Sequence, residues 1–121
     1  MPRPQFTFPD SSPLVVGSFG DIAAIAEATP ETLAAQCDIA EIRLDLIHED
    51  LAAQEAGIWK HLRRFPLLFT ARCHAEGSPY DIDTETRAEM LDCALPDACL
   101  VDVEAASASA MGDLISEIRA E

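Results

Sequence analysis

In Ile39-Ala40-Glu41-Ile42-Arg43-Leu44-Asp45-Leu46, charged and apolar side chains alternate from Glu41 onward. Strand side chains point to opposite faces with a period of two. Ile42, Leu44 and Leu46 therefore share one face, and Glu41, Arg43 and Asp45 the other. Working outward, the runs 14–19, 66–72 and 99–104 are also strand-like in length and β-branched content. The third run puts Leu68, Thr70 and Arg72 on one face. The fourth gathers Leu100, Asp102 and Glu104, with Val101 and Val103 opposite.

Helical patterns separate these runs. Thr29-Pro30-Glu31 places an N-cap before a proline at the first helical position and leads into Leu33 and Cys37. Glu49-Asp50 open a second helix through Leu51, Ile58, Trp59 and Leu62. Lys60, Arg63 and Arg64 lie in its last turn, where cations suit the helix dipole. Asp83 or Thr84 caps a third helix through Met90 and Leu91, stopped by Pro96. Met111, Leu114, Ile115 and Ile118 form the i, i+3, i+4, i+7 stripe of a fourth. Residues 1–13 hold four of the eight prolines and read as an irregular lead-in.

Strand and helix alternating four times imply parallel strands joined by right-handed crossovers. Two architectures satisfy this, an open doubly wound sheet or part of a (β/α)8 barrel. The 121 residues favour the open sheet, since a whole barrel needs about 250. The strand residues favour the barrel: a central strand of an open parallel sheet is apolar on both faces, and three of these strands are not. Their charges also gather toward the strand C-terminal ends, where both architectures place sites.

With 22 acidic and 8 basic side chains the net charge is −14, which argues against nucleic-acid or anionic-membrane partners. No stretch is long and apolar enough to span a bilayer, and the N-terminus lacks a basic-then-apolar signal. The expected location is cytoplasmic. Cys37, Cys73, Cys93 and Cys99 contain no Cys-x-x-Cys pair and read as buried thiols rather than zinc ligands. Asp81, Asp83 and Glu85 hint at a divalent cation, but as first-turn acids they suit a helix N-terminus, so no metal and no cofactor is expected.

The charged face has two readings. One is a structural ion-pair network in which Glu41 and Asp102 balance Arg43 and Arg72. The other is an anion pocket, with arginines holding a carboxylate and acids orienting them. Buried charges cost several kcal/mol unless paired, so stability alone is a weak motive for them.

Three motifs bear on the choice. Glu41-Ile42-Arg43-Leu44-Asp45 resembles the Glu-x-Arg-x-Asp strand of type I 3-dehydroquinate dehydratases. Pro66-Leu67-Leu68-Phe69-Thr70-Ala71-Arg72, followed by Glu76-Gly77, is similar to that family's third strand and loop. Val101-Asp102-Val103-Glu104 is similar to its acidic fourth strand. The order and spacing hold from about residue 14 to the C-terminus. Ser78 stands where a second glycine is usual after Glu-Gly.

The resemblance implies an α/β fold of the (β/α)8 TIM-barrel family, with residues 14–121 supplying about four βα units, a half-barrel. It implies the lyase reaction that converts 3-dehydroquinate to 3-dehydroshikimate and water through a lysine Schiff base, with a histidine moving protons. Glu41, Arg43 and Arg72 would bind the substrate's hydroxyl and carboxylate groups, and Glu76 would support the catalytic histidine. That histidine belongs to the family's fifth strand and the lysine to its sixth. The single lysine here, Lys60, reads as a solvated helix-terminal charge. His48 and His61 read as surface residues, and His74 lies near the pocket. The expectation is thus an N-terminal half-barrel lacking both catalytic residues, inactive alone, that forms a homodimer or joins a missing C-terminal half. The alternative is a non-catalytic half-barrel that binds small carboxylates or serves assembly.

Overall fold

The computed structural model describes residues 3–9, 12–50, 54, 57–104 and 107–119. Four parallel strands, β1 (Val16–Phe19), β2 (Ile39–Arg43), β3 (Leu67–Thr70) and β4 (Leu100–Asp102), lie in sequential order in one sheet. Among the described residues the helices with stated bounds are α1 (Ile22–Glu27), α2 (Pro30–Ala34), α3 (Thr84–Ala94) and α4 (Gly112–Arg119). Each strand is shorter than its apolar run. After Arg43 the chain tightens into a 3-10 helix, Leu44–Ile47, so strict alternation ends there.

Capping explains the helix starts. Thr29 and Thr32 form a reciprocal capping box ahead of Pro30, and Asp83, not Thr84, caps α3 by accepting the Thr86 N–H at 2.7 Å. Helix α2 stops at Ala34, short of Cys37. Helix α1, capped by Asp21, has only six residues and carries no stripe long enough to announce it. The helix expected from Glu49 falls partly outside the described residues; its described end is a 3-10 turn, Lys60–Leu62. The described residues of the lead-in, 3–9 and 12–13, have no regular structure, and Arg3 donates to the Ile118 carbonyl of α4 at 3.0 Å. Cys37 alone of the four free cysteines is buried, contrary to expectation. Cys73 and Cys99 are half-buried and Cys93 is exposed, because α3 turns it outward.

The sheet has two unlike faces. Ala40, Ile42, Leu67 and Phe69 join Ile25, Leu33, Trp59, Leu62, Leu91 and Leu114 of the helices and connections in one core. Trp59 meets Phe69 edge-on at 5.1 Å, both essentially inaccessible. Burying each contributes roughly 1.5–3 kcal/mol. Leu68 and Leu100, on the opposite face, lie outside that core and are only partly buried. One helical layer and a sequential strand order decide between the two architectures: a doubly wound sheet reverses its order and covers both faces. This is half of a (β/α)8 barrel.

Candidate active site

The register sets the concave face in rows. Ser18, Glu41, Leu68 and Leu100 are aligned across the four strands, and Arg43, Thr70 and Asp102 form the next row toward the C-terminal ends. Asp45, Arg72 and Glu104 each follow two residues later.

Glu41 is held by its row neighbours: one carboxylate oxygen accepts the Ser18 hydroxyl and the other accepts the Thr70 hydroxyl at 2.7 Å. It does not pair with Arg43, as the ion-pair reading required. Arg43 instead forms a bidentate pair with Asp45, Nε to Oδ1 at 2.9 Å and Nη2 to Oδ2 at 2.7 Å. The two residues share a face, and Asp45 meets the guanidinium from within the 3-10 turn that follows Arg43.

Asp45 is completely buried. Burial pushes its pKa up, but the Arg43 hydrogen bond, the Arg72 backbone N–H and the Ser78 hydroxyl outweigh that and hold it below the usual carboxylate value. Asp45 in turn pushes the Arg43 guanidinium further up, against the opposing effect of burial. Arg72 donates to Asp102 at 3.1 Å, the one expected cross-strand ion pair that forms, and lies 3.9 Å from Glu104. The Arg43 and Arg72 side chains stay 20% and 26% exposed on the concave side, so both cations remain within reach of a ligand.

The loop after β3 is folded by local bonds. Gly77, at φ 111°, takes the left-handed conformation that only glycine adopts readily. Ser78 needs no such freedom. It is buried, its hydroxyl meets Asp45, and its carbonyl accepts the His74 Nδ1–H at 2.8 Å. Serine in place of glycine is thereby explained. Glu76 is exposed and has no side-chain polar partner among the described residues.

His48 donates through Nδ1 to the Asp45 carbonyl at 3.0 Å and packs against Tyr80, the rings tilted by 57° with centroids 4.1 Å apart. His61, though exposed, clamps the end of α1 through the Ile25 and Ala28 carbonyls. Lys60 is exposed.

One residue bearing on the site escaped sequence reasoning. Arg87 of α3 is 4% exposed and meets Glu104 at 3.2 Å; Glu104 also accepts the Cys73 N–H at 3.0 Å. The available signal was an arginine in the same helical stripe as Met90, Leu91 and Ala94. A separate cavity of about 550 Å³, lined by Gly20, Asp21, Leu46 and Asp50 among others, includes neither arginine in its wall.

A model of the type I 3-dehydroquinase family matches residues 15–121. The chain belongs to that family. Among solved structures it is similar to the 3-dehydroquinate dehydratase of Enterococcus faecalis, with a TM-score of 0.66 and 24% identity. The match covers 91% of this chain and 50% of that one, so this type I 3-dehydroquinase chain spans half the length of its structural neighbour. No curated protein matches the sequence. The family's activity is that of a dehydratase, a lyase. Among the described residues no helix is long and apolar enough to cross a membrane.

Proposed function

We propose that this chain is the substrate-anchoring half of a type I 3-dehydroquinate dehydratase. The observation that carries this reading is the pair of half-exposed arginines on the concave face, Arg43 braced by Asp45 and Arg72 braced by Asp102. A carboxylate-bearing, hydroxylated ring suits this face. Arginine can grip the carboxylate in two places, and Glu41, already an acceptor for two hydroxyls, can take a third. Glu76, on the exposed loop, would support a histidine supplied from elsewhere. Schiff-base formation needs an amine in a shielded site, and the exposed Lys60 does not offer one. The lysine and the proton-moving histidine would come from the other half of a barrel, and the chain alone would be inactive.

In this chain β1 and β4 are the sheet's edges, and Val15 and Val16 are 58% and 49% exposed beside one of them. Open parallel edges with apolar neighbours call for pairing. The reading therefore includes a homodimer or a complementary C-terminal half, residues 14–121 as the folding unit, and a cytoplasmic location. A monodisperse monomer by light scattering would count against the assembly.

The test is titration of the ¹⁵N-labelled chain with 3-dehydroquinate. Saturable shifts at Glu41, Arg43 and Arg72 are expected, and Arg72→Ala should weaken binding about tenfold or more. Absence of saturable binding would overturn the reading. Borohydride and intact mass add the chemistry: no adduct is expected on this chain, and one on Lys60 would refute the claim that it is not the Schiff-base residue. The alternative, a carboxylate-binding module without chemistry, is favoured if binding persists but no adduct forms even when a lysine-bearing half completes the barrel.

A further inference from the structure

Glu104 presents a problem that the substrate-anchoring reading leaves unsolved. It is 9% exposed and lies 3.9 Å from Arg72, a cation that reading needs for the substrate. A buried carboxylate must have a counter-charge. Arg72 reaches it only at that long distance, through Nη1, while Nη2 holds Asp102 at 3.1 Å; a closer pairing would draw the guanidinium toward Glu104 and away from the open face.

Arg87 supplies the counter-charge from behind. Its Nη1 donates to Glu104 Oε1 at 3.2 Å, from a helix that belongs to the outer layer rather than the concave face. The remaining donors are all occupied: Nε meets the Ile82 carbonyl at 3.1 Å, and the two terminal nitrogens meet the Thr84 and Ser107 hydroxyls. Five N–H groups in a planar fork find acceptors in one buried place, which fixes the guanidinium rigidly. Glu104, so held, accepts both the backbone N–H and the thiol of Cys73, the residue next to Arg72.

We infer that Arg87 is a positioning residue: by neutralising Glu104 it keeps the Arg72 guanidinium available to a ligand carboxylate, and through Glu104 it fixes the main chain that carries Arg72. This rests on the substrate-anchoring reading for its ligand but not for its geometry. Mere structural support would predict that loss of either partner damages the site. Charge neutralisation makes a different prediction, because removing the carboxylate as well should release Arg72 again.

The experiment is a double-mutant cycle on the full chain with two readouts, the affinity for 3-dehydroquinate and the Arg72 ¹⁵Nε resonance. Arg87→Met should weaken binding about tenfold and move the Arg72 signal, since a full charge contact is diverted. Glu104→Gln, whose amide oxygen still accepts the Cys73 N–H, should leave the affinity of the folded chain unchanged or tighter, while lowering its melting temperature because the buried Arg87 loses its counter-charge. The double variant should return both readouts close to the parent's. Equal loss in Glu104→Gln, or no recovery in the double variant, would overturn the inference. If Arg87→Met fails to fold, the Glu104→Gln result alone decides between neutralisation and support. If the parent binds no 3-dehydroquinate, the functional reading fails, while the Arg72 resonance still reports on positioning.

Discussion

The carboxylate of Asp45 accepts the backbone N–H of Arg72 at 3.1 Å, so an acid just past β2 fixes where the arginine past β3 leaves the sheet. The same carboxylate grips Arg43 with both oxygens. One buried group thus sets the side chain of one arginine and the main chain of the other. Their spacing is built in before any ligand arrives, and pre-organisation of this kind reduces what binding must supply.

Asp45→Asn should therefore destabilise the chain by about 2–4 kcal/mol at neutral pH, as expected when a buried carboxylate is lost from an ion pair whose other partner, Arg43, still reaches solvent. The pH dependence has a definite sign. The folded pKa of Asp45 is depressed, so its contribution is present above the ordinary value of 3.8 and is lost as pH falls through the lower folded value. Urea melts between pH 2 and 7 should show the gap between parent and variant closing only below about pH 3.8. A gap that is constant across that range would refute the assignment.

At the other end of the strands, Asp97 accepts the Trp59 indole N–H at 3.0 Å and the Arg63 Nε–H at 2.9 Å. Asp97→Ala leaves a buried indole donor without its acceptor, at a cost of about 2–4 kcal/mol. Trp59 is the sole tryptophan, so its fluorescence reports the change directly. A lower melting temperature is expected, with little change in 3-dehydroquinate affinity, because this cluster lies at the opposite strand ends from Arg43 and Arg72.

Gly77→Ala tests the loop. A methyl group there meets nothing within 4 Å, so the cost is that of the left-handed backbone, about 1–2 kcal/mol. Ser78 follows immediately. The exchange rate of the Ser78 amide, which donates to the Cys73 carbonyl, should rise by more than the global stability loss explains.

Between α3 and α4, Glu117 lies beside Asp92 and Asp113. Its hydrogen bond to Asp92 and the two negative charges raise its pKa. A raised carboxyl favours the folded state below the ordinary value of 4.5 and loses that advantage as pH rises through the folded value. Glu117→Gln should accordingly raise the melting temperature at pH 7 and have no effect at pH 3.5. Scanning calorimetry at both pH values checks this, and destabilisation at pH 7 would contradict it.

Residue order alone carried the alternation of strands and helices, the N-cap Thr29, a cap at Asp83 or Thr84, and the charges on one face of the second, third and fourth strand runs. These are local properties: a period of two, a hydroxyl or carboxylate before a helix, a proline at its first position. The family motifs are equally local, which is why Glu41, Arg43 and Arg72 could be singled out before any coordinate was known. The pairing of those charges could not be read in the same way. Glu41 and Asp45 each lie two residues from Arg43 on the same face, so spacing does not choose between them. The partnership of Arg87 with Glu104 spans 17 residues and two layers. It exists only because α3 packs behind the sheet, against β3 and the turn after β2. Sequence spacing determines which side chains share a face; the distance between layers, and hence which opposite charges come within hydrogen-bond reach, is decided by packing alone.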